Sequence, residues 1–327
     1  MKKRISTRVI CLLIAASVLV GALTVSALNG SPYENLKSAA FNVLFLENMT
    51  YESEFFMSID GDVQEHTAMS GMITSEGTMT TSINMNGRDS FSFNNGELTL
   101  STMFTWRNTE EAWYIARRNT WRNDDFTSLG MSAFGVEDRS SARMRFAELA
   151  VDLVVGDLKN NLVMSNQGDG IRRVSGAITE SQLPEIVRVL IDMVMEEQYA
   201  SEVRRNRVRS DFENMLDVPP RRVTIDRIQG HADINSDDII VYMRGSVVMT
   251  IENMFGEVYT MEVGGHIRFT DIGTSVLESP IPGAVELFTA SFVTGNFGHE
   301  GAQVFFMLNE DGTIDMDSLT TRWPDAW

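Results

Sequence analysis

The sequence predicts an α+β protein: an antiparallel sheet covered by two or three amphipathic helices, preceded by an N-terminal membrane helix or export signal. Three observations carry this reading. Short runs with a side-chain period of two follow one another from residue 51, parted by turn dipeptides such as Asp60-Gly61, Asn86-Gly87 and Asn95-Gly96. The apolar period then lengthens to 3.6 in two stretches, at residues 141–158 and 182–195. A basic start followed by an uncharged apolar run fills residues 1–28.

In the leader, Lys2, Lys3, Arg4 and Arg8 precede an apolar run over residues 9–28. That order is the order of a secretory signal, and Val25-Ser26-Ala27 offers small residues for cleavage after Ala27. The run is also long enough to span a bilayer as a helix. Both readings stay open, and both place residues 30–327 outside the cytoplasmic membrane, tethered by residues 9–28 or secreted. Cys11, the single cysteine, stands near the start of the run rather than at its end, so it is an apolar-helix residue and not a lipid attachment site. The exported part therefore uses neither disulfides nor thiol chemistry.

The formal net charge of the 327 residues is -18, and residues 1–27 carry basic groups only, so the exported part is more acidic still. Such a surface argues against nucleic acid and against anionic headgroups as partners. With 43% hydrophobic residues the chain is globular rather than disordered.

Ser31-Pro32 opens a first helix, with Leu36, Ala39, Ala40, Val43 and Leu44 as its stripe. Strands are expected from residue 51 to 59, over 63–75, and around Met79–Met85, Phe91–Phe93, Leu98–Trp106 and 112–117. Phe146, Leu149, Ala150, Leu153, Val154 and Leu158 mark the next helix. Residues 171–178 return to strand. A further helix buries Leu183, Ile186, Val187, Leu190, Ile191 and Val194, with Pro184 in its first turn and Ser181 as N-cap. Residues 196–216 read as a polar helix that holds an arginine cluster (Arg204, Arg205, Arg207, Arg209), and 196–222 is the candidate sub-boundary. Three long strands follow near 223–234, 239–252 and 257–271. Residues 273–300 read as loop, and 303–308 as a last, edge strand.

No reaction is legible. His66, His231, His266 and His299 are far apart and form no HExxH pair. The segment from Asp233 to Asp238 begins like a calcium loop, but Asp238 stands where glycine belongs and Arg244 where glutamate belongs, so it reads as a turn. Gly168-Asp169-Gly170 leads into a strand and lacks the Lys-Ser/Thr of a phosphate loop. No cofactor or metal set is expected. The 20 methionines are the unusual feature. Met57, Met79, Met85, Met103, Met243, Met249 and Met261 recur at inward positions of strands, as core filling or as the flexible lining of an apolar cavity.

The order of elements resembles the LolA-like and LppX-like superfamily of exported bacterial lipoprotein carriers. The stretches FAELAVDLVVGDLKNNLV and IRRVSGAITESQLPEIVRVLIDMV are similar to the helix–strand–helix part of such proteins, and the likeness in element order covers residues 32–310. The resemblance implies a half-barrel: a curved antiparallel sheet wrapped around the helices, enclosing an apolar cavity for acyl chains. It brings no residue-level ligand signature, and the chain departs from lipidated members at Cys11.

The expected function is therefore non-enzymatic binding of a lipid or other apolar ligand outside the cytoplasm. The candidate lining is Met57, Met85, Met243, Met249 and Met261 from the sheet, with Val187, Leu190, Ile191 and Val194 from the helix at 182–195. A membrane-tethered interaction or sensory module with a filled core, bound to another envelope protein, stays open. So does an unrecognised hydrolase, because the many carboxylates leave an acid/base pair conceivable.

Overall fold

The computed structural model describes residues 32–84, 89–95, 97–103, 113–118, 142, 145, 149, 152, 161–183, 220–253, 255–293 and 303–321. Outside these residues lie the leader with Cys11, Met85, the Asn86-Gly87 turn, most of the helix at 141–158, the helix residues 184–195, the arginine cluster, the sub-boundary up to residue 219, and His299.

The described residues form a mostly antiparallel, open sheet of thirteen strands with two α-helices. The strands are β1 (Met49–Ile59), β2 (Asp62–Thr74), β3 (Gly77–Asn84), β4 (Asp89–Asn94), β5 (Leu98–Met103), β6 (Trp113–Arg118), β7 (Val163–Gly168), β8 (Ile171–Thr179), β9 (Pro220–Ile234), β10 (Ile240–Asn253), β11 (Val258–Thr270), β12 (Gln303–Leu308) and β13 (Ile314–Thr320). Their order in the sheet is 13-12-6-5-4-3-2-1-11-10-9-8-7. The helices are α1 (Pro32–Leu44) and α2 (Ala284–Val293). None of the described helices is long and apolar enough to cross a membrane.

The chain packs as two compact units. The first comprises Met1–Val43, Glu54–His66 and Asp138–Arg268; the second comprises Leu44–Ser53, Thr67–Glu137 and Phe269–Trp327. In the first, α1 starts at Pro32 and buries Tyr33, Leu36, Ala39, Phe41 and Val43. Its exposed side is held by charge. Lys37 Nζ lies 3.0 Å from both Glu34 Oε2 and Asp152 Oδ1, and the Tyr33 hydroxyl donates to the same Asp152 carboxylate. Burial alone would lower the Lys37 pKa, but its two carboxylate partners outweigh that and raise it. The hairpin from β9 to β10 turns as expected. Asn235 Oδ1 accepts from the backbone N–H groups of Asp237 and Ile239, and Asp238 takes a positive φ of 58°.

The second unit has its own core. Phe93, Leu98, Leu100, Ala116, Val304 and Phe306 from the sheet meet Ile281, Ala284 and Phe288. Phe288 and Phe306 are fully buried, their rings 5.0 Å apart.

Five expectations need correction. Residues 273–300 are not all loop, because α2 begins directly after Pro282-Gly283; its strongly apolar sequence AVELFTASFV buries Ala284 and Phe288 where the flanking Gly, Ser and Pro suggested exposure. The strand at 303–308 is not an edge, since β13 pairs beyond it. Strands β7 and β13 went unseen because their sequences, VMSNQG and IDMDSLT, are mainly polar and lie at the two sheet edges. Ser181 is not a helix cap: Thr179 caps a 3-10 turn over Glu180–Gln182, closed by Gln182 accepting from the Thr179 backbone. Leu149 is 67% exposed rather than buried, since it shares a helix face with Arg145 and Asp152, four residues before it and three after.

Candidate functional site

The candidate site of the first unit is the apolar side of β8–β11. Strand alternation puts Met243, Gly245, Val247, Met249 and Ile251 of β10 on one face. Across the ladders, Met243 stands opposite Ala232 and Ile267, and Val247 opposite Ile228 and Val263. On β8, Val174 and Ile178 extend these two rows. A bulge after Val248 then sets Met249 opposite Ile225 on β9, while it faces Met261 directly on β11.

Between the two aliphatic rows runs a row without side chains: Gly176, Gly230, Gly245 and Gly265, each opposite the next on four consecutive strands. Two of them are sterically required. A Cβ on Gly230 would lie 2.7 Å from the Arg244 carbonyl oxygen, and one on Gly265 would lie 2.3 Å from that of Glu54. The face thus carries a furrow of glycines between two rows of mostly buried aliphatic side chains, with neighbouring backbone closing on Gly230 and Gly265.

The candidate lining residues divide into three sets. Met57 and Met261 are buried in one cluster with Ile59, Ile251 and Val263, and Met249 packs half-buried against it beside Phe55, Val223 and Tyr259. Met243 is half-buried beside the glycine row. Met85, Val187, Leu190, Ile191 and Val194 lie outside the described residues. Met79, which shared the pattern, packs instead against the core of the second unit.

The opposite face of the same strands holds what sequence spacing did not show. Three of the four histidines meet there. The Tyr242 ring lies 5.5 Å from His231 and 5.7 Å from His266, with the Arg268 guanidinium 5.3 Å from the Tyr242 centroid. Arg173 grips Asp233 with two hydrogen bonds of 2.6 and 2.8 Å. One oxygen of Glu54 lies 3.9 Å from His266 Nδ1 and 3.8 Å from His66 Nε2. Burial lowers the His231 pKa, and the guanidiniums of Arg173 and Arg244 lower it further against the pull of Asp233. The signal that could have found this group is strand register: once β9, β10 and β11 are paired, His231, Arg244 and His266 fall on one row.

The second unit contains a separate open cavity of about 500 Å³, with Phe93, Leu277, Ile281 and Val285 on its apolar side and Glu278 and Glu286 among its polar lining. Among the described residues no group of three His, Cys, Asp or Glu side chains could hold a metal ion.

No protein-family model and no curated protein sequence matches the chain. Among solved structures, it is similar to a LolA superfamily protein from Nitrosomonas europaea. The match spans 77% of this chain and 96% of that one, at 8% sequence identity and a TM-score of 0.22.

Proposed function

We propose that the chain is a non-enzymatic, extracytoplasmic binding protein for a lipid or another long apolar ligand, held against the apolar side of β8–β11. The observation that carries this is the furrow. A row of glycines walled by aliphatic side chains, with the half-buried Met243 and Met249 on its strands, is a surface on which an extended hydrocarbon can lie. Methionine suits such a ligand, because its unbranched thioether side chain repacks around variable shapes. Close approach of neighbouring backbones at Gly230 and Gly265 supports a sheet bent towards this face, as a half-barrel requires. The helix at 182–195, through Val187, Leu190, Ile191 and Val194, is the proposed cover.

One observation favours the second reading, a membrane-tethered interaction module with a filled core. Met57 and Met261 are 6% and 0% exposed within a packed cluster. Titration with a fluorescent fatty acid separates the two. Met243→Gln and Met249→Gln are expected to weaken probe binding more than they lower the urea midpoint. Absent probe binding, or equal damage to folding and binding, would leave the interaction module as the reading.

A further inference from the structure

We infer that the outer face of β8–β11 is a docking strip for an extended acidic segment of a partner protein. The strip has two rows. Arg173, Asp233, Tyr242 and Arg268 stand opposite one another across four strands, and beside them Ser175, His231, Arg244 and His266 do the same. Glu54 of β1 and His66 of β2 continue the second row through their contacts with His266 and each other. At about 4.8 Å per strand, four strands give a strip roughly 15 Å long, the reach of four or five residues of extended chain.

Its charge is opposite in sense to that of the molecule. In a chain of net charge -18, the strip holds three arginines and three histidines against two carboxylates. Of those carboxylates, Asp233 is already engaged by Arg173, and Glu54 lies between two histidines. Arg244 is exposed, and Arg268 is exposed with its guanidinium over the Tyr242 ring, which pre-orients it. At physiological ionic strength charges beyond about 8 Å are screened, so an approaching carboxylate responds to the strip rather than to the acidic remainder.

The same face says why the partner is a single acidic strand and not an anionic membrane. Along β9, β10 and β11 the face continues into mixed charge, Asp226, Glu252 and Glu262 beside Arg222 and Arg227, and at the other end the hairpin carries Asp237 and Asp238. A planar array of anionic headgroups would meet these carboxylates too; a narrow acidic chain would not.

The groups facing His231 and His266 are Arg173 from β8, Asp233 from β9, Tyr242 and Arg244 from β10, Arg268 from β11, Glu54 from β1 and His66 from β2.

The experiment uses the full chain in phosphatidylcholine nanodiscs, with hydrogen–deuterium exchange and fluorescence anisotropy as readouts and octaglutamate as the acidic probe. Octaglutamate is expected to bind, to protect β10 and β11, and to be released by salt. Arg244→Gln combined with Arg268→Gln should weaken it about tenfold, while the circular dichroism spectrum and fatty-acid binding stay unchanged. Failure of octaglutamate to bind, or equal binding by the double variant, overturns the inference. Protection of the strip by phosphatidylglycerol-containing nanodiscs in the absence of peptide does so as well, since the partner would then be a membrane.

Discussion

Gly265 has no room for a side chain: a Cβ there would lie 2.3 Å from a backbone oxygen of β1, which cannot move aside without breaking the ladder. Gly265→Ala should therefore destabilise the protein by about 1–3 kcal/mol, the usual range for overpacking, read as a lower urea midpoint at constant slope. Thr289 poses the opposite problem. Its hydroxyl is buried with no hydrogen-bond partner among the described residues, so Thr289→Val is expected to stabilise by about 1 kcal/mol in the same assay. His231 gives a pH signature. Burial chiefly, with Arg173 and Arg244, holds its folded pKa below the ordinary 6.5, so below that pH the unfolded chain binds the proton first. Stability from this residue is thus present above about pH 6.5 and lost as pH falls through the folded value. His231→Gln should flatten that part of the stability–pH curve; an unchanged slope would show that the imidazole is not held neutral. At this scale the sequence was least informative. His66, His231 and His266, scattered over two hundred residues, carry no hint of meeting in the sequence, because their proximity is a property of strand register and not of spacing.

Elements were legible where burial was one-sided. The stretch at 239–252 read as a strand because Val241, Met243, Val247, Met249 and Ile251 share one face while Arg244, Ser246 and Thr250 stand on the other, and β10 forms there. Strands β7 and β13 lie at the two ends of the sheet with little apolar face to bury, so no alternation announced them. Helix α2 was hidden for a different reason. Its sequence is apolar nearly all round, which erases the 3.6 period that marks a helix lying on a surface. Its burial predicts its weight in the fold. Phe288, 0% exposed against Phe306, should cost about 3–5 kcal/mol when truncated to alanine. Ile251→Ala, at an equally buried point of β10, should cost about 2–5 kcal/mol. The two changes fall in different compact units. A biphasic urea transition in which each variant shifts only one phase would show that the units unfold separately; a single shifted transition would show them coupled.

The whole molecule presents two surfaces on the same four strands, apolar with a glycine furrow on one side and ringed with arginine, histidine and tyrosine on the other. The antiparallel architecture and the methionine-bearing face of β10 and β11 followed from sequence periodicity. The furrow did not, because single glycines in four separate strands reveal a row only once the strands are paired. The proposed function turns on an apolar ligand in the furrow. Native mass spectrometry of the protein, purified without added lipid or detergent after removal of residues 1–28, tests it most directly. The predicted result is a mass above that of the chain, with the excess released by organic extraction as lipid and diminished in the Met243→Gln variant. The mass of the bare chain alone, in every preparation and with no uptake of added fatty acid, would contradict it.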